Sequence, residues 1–293
     1  MLPSRWLSLV CTLLVGSLVA QDAAELAVDH ALTFDYPTPH TAWARPYAQG
    51  PTRVLFFVDG RGTMPRHCVE LMQRFELDAQ AVFWARIVDS TKEEWHGGDV
   101  GKARLMALLE QPWDCYVFLG QSPTRLSTEA QCRLLEPVVK GAGIVLVGVD
   151  DKRILKETNR ETVPWLATVK GGVSCRVGQG RGVRVPVIPT IDYAEGWELD
   201  YYTFAEGLGR AILWAAGHEP KVKVEIAVSP AGPLAYGQTG AEAQFTLTGT
   251  DAATTVAIQL RRRGVRDWDL GVSPLQAPGT VRVPLPEGLA ADT

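Results

Sequence analysis

The chain has 293 residues, 46% of them hydrophobic and 21% charged, which is ordinary globular material with enough apolar side chain for one sizeable core and a smaller second one. A formal net charge of -4, without a Lys/Arg-rich block or a basic stripe on any predicted helix, gives no electrostatic reason to expect nucleic acid as a partner.

At the N-terminus Arg5 precedes an apolar run over 6–20, followed at once by Gln21 and Asp22. A positive start, an apolar stretch too short to span a bilayer comfortably and the small Ala20 at the cleavage point make residues 1–20 a secretory signal peptide by layout. The later sequence has no apolar stretch long enough to cross a membrane, so the mature chain is expected to be secreted or periplasmic, with no membrane span. Residues 21–50, mixed and rich in Pro, His and Tyr, read as an extended lead-in. The cysteines left after the signal are Cys68, Cys115, Cys132 and Cys175. Two disulfides are permitted, but a domain of this size needs no staples and the residues sit among apolar neighbours, so buried free thiols are expected.

Residues 51–220 form the first domain. The runs RVLFFVDG, AVFWARIVD, CYVFLGQ and GIVLVGVDD are short, near-continuous and rich in β-branched and aromatic residues, as strands covered on both faces are. Between them lie helical segments, so a doubly wound parallel sheet is expected. The helix over 65–75 carries Cys68, Leu71, Met72 and Phe75 on one stripe, and the helix over 101–110 carries Leu105, Leu108 and Leu109. A loop holding Trp95 and His96 precedes the second helix. Ser127 is the natural N-cap of a third, whose inward residues are expected to be Cys132, Leu135, Val138 and Val139, with a glycine stop at Gly141. After the fourth strand the pattern changes to a hairpin, 172–177 and 183–188, turning through the glycines of 178–182. Those glycines are not a phosphate loop, because no helix follows to present its N-terminus. A long helix over 200–216, with Phe204, Leu208, Ile212 and Leu213 on one face, closes the domain at Gly217 and Pro220.

This strand order, the RVGQGRGVRV hairpin and the closing YYTFAEGLGRAILWAAGHEP helix resemble the class I glutamine amidotransferase-like fold of secreted bacterial proteins, similar to trehalose-utilisation-type domains and to the middle domain of some β-galactosidases. The resemblance implies a flavodoxin-like sheet. It also implies a catalytic cysteine in a sharp turn after a central strand, with His and Glu after the last sheet strand. The turn falls near Val149-Asp150-Asp151 and the later segment begins at Pro189, so neither nucleophile nor base is present, and Cys175 lies within the hairpin instead. Carbohydrate, or further domains of the same protein, are the partners that the resemblance suggests. No cofactor is implied and no metal spacing is present.

Residues 221–293 are all-β: VKVEIAVS, EAQFTLTG, TTVAIQLRRR, WDLGVS and TVRVPLP alternate in the manner of a sandwich with one buried face. Five strands fall short of the seven or so of an immunoglobulin-like sandwich, so the second domain reads as an incomplete one, part of a longer protein.

In an open parallel sheet, ligands bind beyond the carboxyl ends of the strands. Those ends carry Asp59 and Arg61, Asp89 and Ser90, Gln121 and Ser122, and Asp150 and Asp151, a candidate ligand-binding rim. Carboxylates gathered there suit a cation, sugar hydroxyls or an acid–base pair, while Asp and Ser at strand ends also serve as turn formers and helix caps. His67 and His96 have no metal spacing and default to surface or core; Trp95, Trp165 and Trp197 suit either a sugar platform or packing. Two functions follow: a non-catalytic binding or scaffolding module, or a glycosidase-type hydrolase working through the rim carboxylates. They divide on whether Asp59, Asp89 and Asp150 converge on one pocket.

Overall fold

The computed structural model describes residue 32 and residues 51–60, 64–86, 93–169, 171–186, 197–220, 223–229, 240–248, 253–262, 266–276 and 278–285. They fall into two compact units, Met1–Glu219 and Pro220–Thr293. No helix among the described residues is long and apolar enough to cross a membrane.

The first unit is mixed α/β. Its strands are β1 (Thr52–Asp59), β2 (Leu77–Arg86), β3 (Glu93–Trp95), β4 (Cys115–Leu119), β5 (Gly143–Val147), β6 (Arg160–Glu161), β7 (Val173–Val177) and β8 (Gly180–Val185). Its helices are α1 (Met64–Arg74), α2 (Gly98–Leu109), α3 (Thr128–Lys140) and α4 (Trp197–Ala216). One eight-stranded sheet runs in the order β3-β2-β1-β4-β5-β8-β7-β6. Its five central members β2, β1, β4, β5 and β8 are parallel, and β3, β7 and β6 are antiparallel additions at the two sides.

Alternation along each strand sends side chains to two separate cores. Val54, Phe56, Val58, Val117, Leu119, Val145 and Val147 meet α1 and α4 on one face. On the other, Leu55, Phe57, Tyr116, Phe118, Ile144 and Leu146 meet α2 and α3. The α1 stripe is as the spacing predicts, with Cys68, Leu71, Met72 and Phe75 all buried. Ser127 caps α3 by accepting from the Ala130 amide at 3.2 Å, and Gly141 ends it at φ 136°. Gly217, at φ 75°, follows α4.

Four expectations are corrected. The sheet is not purely parallel, and the 178–182 glycines are not all turn: only Gly178 and Gln179 separate β7 from β8, whose own first residues are Gly180, Arg181 and Gly182. Strand β8 is the fifth parallel strand, paired with β5. A Cβ at Gly180 would lie 2.1 Å from the Val138 carbonyl oxygen and one at Gly182 2.2 Å from Leu155 Cδ2, so packing, rather than turning, demands glycine there. In α3 the buried residues are Ala130, Leu134 and Val138, at i, i+4 and i+8; Leu135 is partly buried, while Cys132 and Val139 face outward. The helix is rotated from the expected phase because its stripe begins at Ala130 in the first turn. Finally, Trp95 lies on β3 and is buried edge-on against Trp84 at 5.1 Å, so it serves packing and is no sugar platform.

The second unit holds the five expected strands: β9 (Lys223–Ser229), β10 (Glu242–Thr248), β11 (Ala253–Arg262), β12 (Arg266–Gln276) and β13 (Gly279–Pro284). They make a three-stranded antiparallel sheet, β13-β10-β9, and a two-stranded one, β11-β12. Arg261 and Arg262 of the RRRGVR run close β11, and Arg266 opens β12.

Candidate functional site at the carboxyl rim

The helix after β1 packs on one face of the sheet and the helix after β4 on the other, while β1 and β4 are neighbours. The chain therefore diverges beyond these two strand ends, the usual ligand position in such sheets. Asp59 closes β1, and Gly120 and Gln121 follow β4. Asp59 and Gln121 are both buried, at 8% and 3% exposure. Gly120, at φ 69°, brings the two strand ends close: a Cβ there would touch Asp59 Cβ at 3.4 Å and Met64 Sδ at 3.7 Å. Of the rim residues expected from sequence, Asp59 and Gln121 stand at the ends of neighbouring strands.

The others are not. Ser122 accepts from the Thr124 amide at 3.2 Å and caps a short 3-10 turn. Asp150 pairs with Arg184 of β8 at 3.0 Å, on the side of β5 away from β1. Asp151 accepts from Arg153 Nη2 at 2.8 Å, from Arg153 Nε and its amide at 3.1 Å, and through its carbonyl from the Ile154 and Leu155 amides. The Arg153 guanidinium holds its carboxyl below the usual carboxylate range, so Asp151 is an anionic knot inside a turn. With β4 between them, the ends of β1 and β5 stand about 10 Å apart. Asp59 and Asp150 therefore do not converge. Arg61, Asp89 and Ser90 lie outside the described residues.

Beneath the rim on the α1–α4 face lies a polar cluster that residue-type reasoning passes over. His67, in the first turns of α1, is 1% exposed, and its Nδ1 stands 3.0 Å from the hydroxyl of Tyr201, near the start of α4. Its Nε2 has no hydrogen-bond partner among the described residues. Two turns further on, the fully buried Arg74 donates to the Glu70 carboxylate and, at 2.9 Å, to the Glu70 carbonyl, while Arg66 reaches the same carboxylate at 2.8 Å from the surface side. The Arg74 guanidinium also stands 5.7 Å from the Tyr201 ring centroid. Burial pulls the His67 pKa down to about 4 and pushes that of Tyr201 up, so both are neutral near neutral pH. A neutral imidazole fixed by a phenol can accept or donate one hydrogen bond; it is no cation site. The spacing 67, 70, 74 (i, i+3, i+7) is a polar helix stripe readable in sequence, whereas Tyr201, distant in the chain, has no local signature.

None of the thiols is placed as a nucleophile. Cys68, Cys115 and Cys175 are wholly buried, and burial pushes the Cys68 and Cys115 thiols up, away from thiolate. Cys132 is exposed on the outer side of α3, and none of the four is in a disulfide. Trp165 packs beneath the Arg210 guanidinium at 4.3 Å; His96 is exposed; the Trp197 side chain lies outside the described residues. Among the described residues no group of three or more His, Cys, Asp or Glu is arranged for a metal ion. A cavity of about 220 Å³ under β6 and β7, lined by Thr162, Val163, Leu166, Ser174 and Val183 among others, is below the roughly 300 Å³ at which small-molecule pockets begin. No protein-family model matches the chain, and no curated protein matches it in sequence.

Proposed function

We propose that this is a secreted, catalytically silent binding or scaffolding module built on an amidotransferase-like, flavodoxin-like domain, followed by a β-sandwich and working within a larger, carbohydrate-related extracellular protein. The parallel strands, counted in chain order, lie 2-1-3-4-5, which is the flavodoxin-like order, and the export expectation comes from residues 1–20. The observation that carries the reading is the chemistry of the two turns where a nucleophile belongs. Each is sharpened by a glycine at positive φ, Gly120 after the central strand β4 and Gly148 after β5, and each is followed by residues without a thiol: Gln121-Ser122 and Val149-Asp150-Asp151. Acyl transfer from glutamine needs a thiolate beside a base, and the buried thiols elsewhere in the fold supply neither access nor ionisation. At the ends of β1 and β4 stand Asp59 and Gln121, both buried, whose side-chain chemistry suits hydroxyl or amide groups. The hydrolase alternative is weakened because Asp150 and Asp151 are engaged by Arg184 and Arg153.

The test is twofold. The mature chain incubated with glutamine is expected to release no ammonia above a buffer control, and oligosaccharide titration followed by NMR is expected to shift resonances in wild type but not in Asp59→Asn or Gln121→Ala. Glutamine turnover lost on Cys175→Ala would overturn the silent-enzyme reading, and oligosaccharide cleavage lost on Asp59→Asn would replace it by the hydrolase.

A further inference from the structure

Helix α4 is divided in two at Gly207. After it, Leu208, Ala211, Ile212 and Ala215 are seated in the core of the sheet. Before it, Tyr201 and Phe204, three residues apart on one face, close on His67 of α1. The imidazole stacks on the Tyr201 ring with centroids 5.6 Å apart and meets the Phe204 ring edge-on at 5.5 Å. Glycine costs a helix interior about 0.5–1 kcal/mol relative to alanine, so each one calls for a reason. At Gly209 the reason is packing, since a Cβ there would lie 2.0 Å from Phe75 Cζ. At Gly207 it is not: a Cβ would meet Val169 Cγ2 at 3.5 Å, an ordinary contact. A helix glycine without a packing role, set between a seated segment and an aromatic contact, is a point at which α4 can bend.

The contact ahead of that point is built for an uncharged imidazole. His67 is buried, its Nδ1 stands 3.0 Å from the Tyr201 hydroxyl, and its Nε2 has no hydrogen-bond partner among the described residues. An imidazolium has two N–H donors, so protonation leaves one of them, and a buried charge, unsatisfied. The Glu70 carboxylate is already shared by Arg66 and Arg74 of the same helix. The other ionisable neighbours among the described residues are Cys68 of α1 and Tyr201 of α4, both held neutral by burial. Further along α4, Glu206 pairs with Arg210 at 2.7 Å, and the strand residues of this core are apolar. We propose that His67 is an acid-sensitive latch: its protonation releases Tyr201 and Phe204, and the first turns of α4 lift from α1 about Gly207 while the rest of the helix stays seated.

Hydrogen exchange of the full chain at pH 7 and pH 5, corrected for the intrinsic effect of pH, tests this. The open form takes up its proton near 6.5 and the closed form near 4, so acid favours opening by about tenfold per pH unit across that window. In wild type the amides of 201–206 are expected to lose protection by about tenfold or more on acidification, while those of 210–216 and of β4 and β5 keep theirs. His67→Phe and His67→Gln have no titrating group at the latch, so both are expected to hold 201–206 at the same protection at either pH. Using two replacements of different shape separates the latch from a fold defect in one of them. Gly207→Ala is expected to slow exchange of 201–206 about fivefold at both pH values and to keep the pH response. Joint loss of protection over 201–206 and 210–216 would mean unfolding and no hinge. Wild-type protection that is flat with pH, or histidine variants that respond like wild type, would remove the latch, and a Gly207→Ala chain that opens as freely as wild type would remove the hinge. Each of these overturns the proposal.

Discussion

Every residue of β4 and β5 is buried, whereas every residue of β9 from Val224 to Ser229 is exposed, although all three strands are short and rich in apolar side chains. The difference lies in how the two sheets treat their edges. The eight-stranded sheet ends in β3, three residues with Glu93 and Glu94 in it, and in β6, two residues with Arg160 and Glu161. Very short, charged edge strands offer little to pair with, and helices cover both faces. The three-stranded sheet ends in a seven-residue strand whose apolar side chains carry no inward charge. The first sheet ends in short, charged strands; the second, among the described residues, ends at β9 in an exposed apolar one.

The largest effect that would sharpen the contrast is in the covered sheet. Phe57 is fully buried and stacked on Phe118 with centroids 4.3 Å apart, so Phe57→Ala is expected to cost about 3–5 kcal/mol in chemical denaturation of the first unit. A loss under about 1 kcal/mol would mean that the core repacks freely and the contrast is not one of packing.

Next comes pH. His67 has a folded pKa drawn from 6.5 down to about 4, so the unfolded chain binds the extra proton between those values and stability rises with pH across that window. Stability is therefore lost as pH falls from about 6.5 to 4, by on the order of 2–3 kcal/mol. Urea unfolding of wild type and His67→Phe at pH 7 and pH 4.5 checks this. Carboxylate protonation is common to both proteins, so the variant is expected to lose distinctly less stability on acidification. Equal losses would show that His67 does not carry the effect.

The smallest expected effect lies at the open edge. Ile226→Thr should change the unfolding free energy by less than about 0.5 kcal/mol, since most of the side chain is already in water and Thr keeps β-branching. The same substitution is expected to raise solubility. A penalty comparable to that of Phe57→Ala would erase the distinction between the two sheets.

The strands and helices of the first unit were legible wherever burial is periodic. Cys68, Leu71, Met72 and Phe75 announce α1 because a helix covered on one side must repeat its apolar positions. Strand β3 was not legible, since a three-residue edge strand held on one side needs no apolar run. The glycines of β8 misled for a different reason. Glycine suits a turn on local grounds, but here the demand comes from the Val138 carbonyl and Leu155, which approach from elsewhere in the chain. Of the rim, Asp59 and Gln121 were readable because strand ends are visible in sequence; that Asp150 and Asp151 are held by Arg184 and Arg153 was not, because ion pairing depends on side-chain direction. The His67–Tyr201 contact joins residues 134 apart, a distance at which periodicity carries no information.

The close seating of α4 has a consequence for how the protein is made. A Cβ at Gly143 would stand 2.5 Å from the Ala215 carbonyl carbon, and one at Gly209 would run into the Phe75 ring, so α4 presses directly onto β5 and the end of α1. Leu208, Ala211, Ile212 and Ala215 share the core that holds Val145, Val147 and Val183. While the polypeptide is being synthesised, the part of that face over β5 and β8, which α1 does not cover, stays bare until the last turn of α4 has left the ribosome. A nascent chain stalled between β8 and Trp214 would carry a sheet whose apolar face is uncovered over β5 and β8, which makes this interval the one in which a holding chaperone matters most.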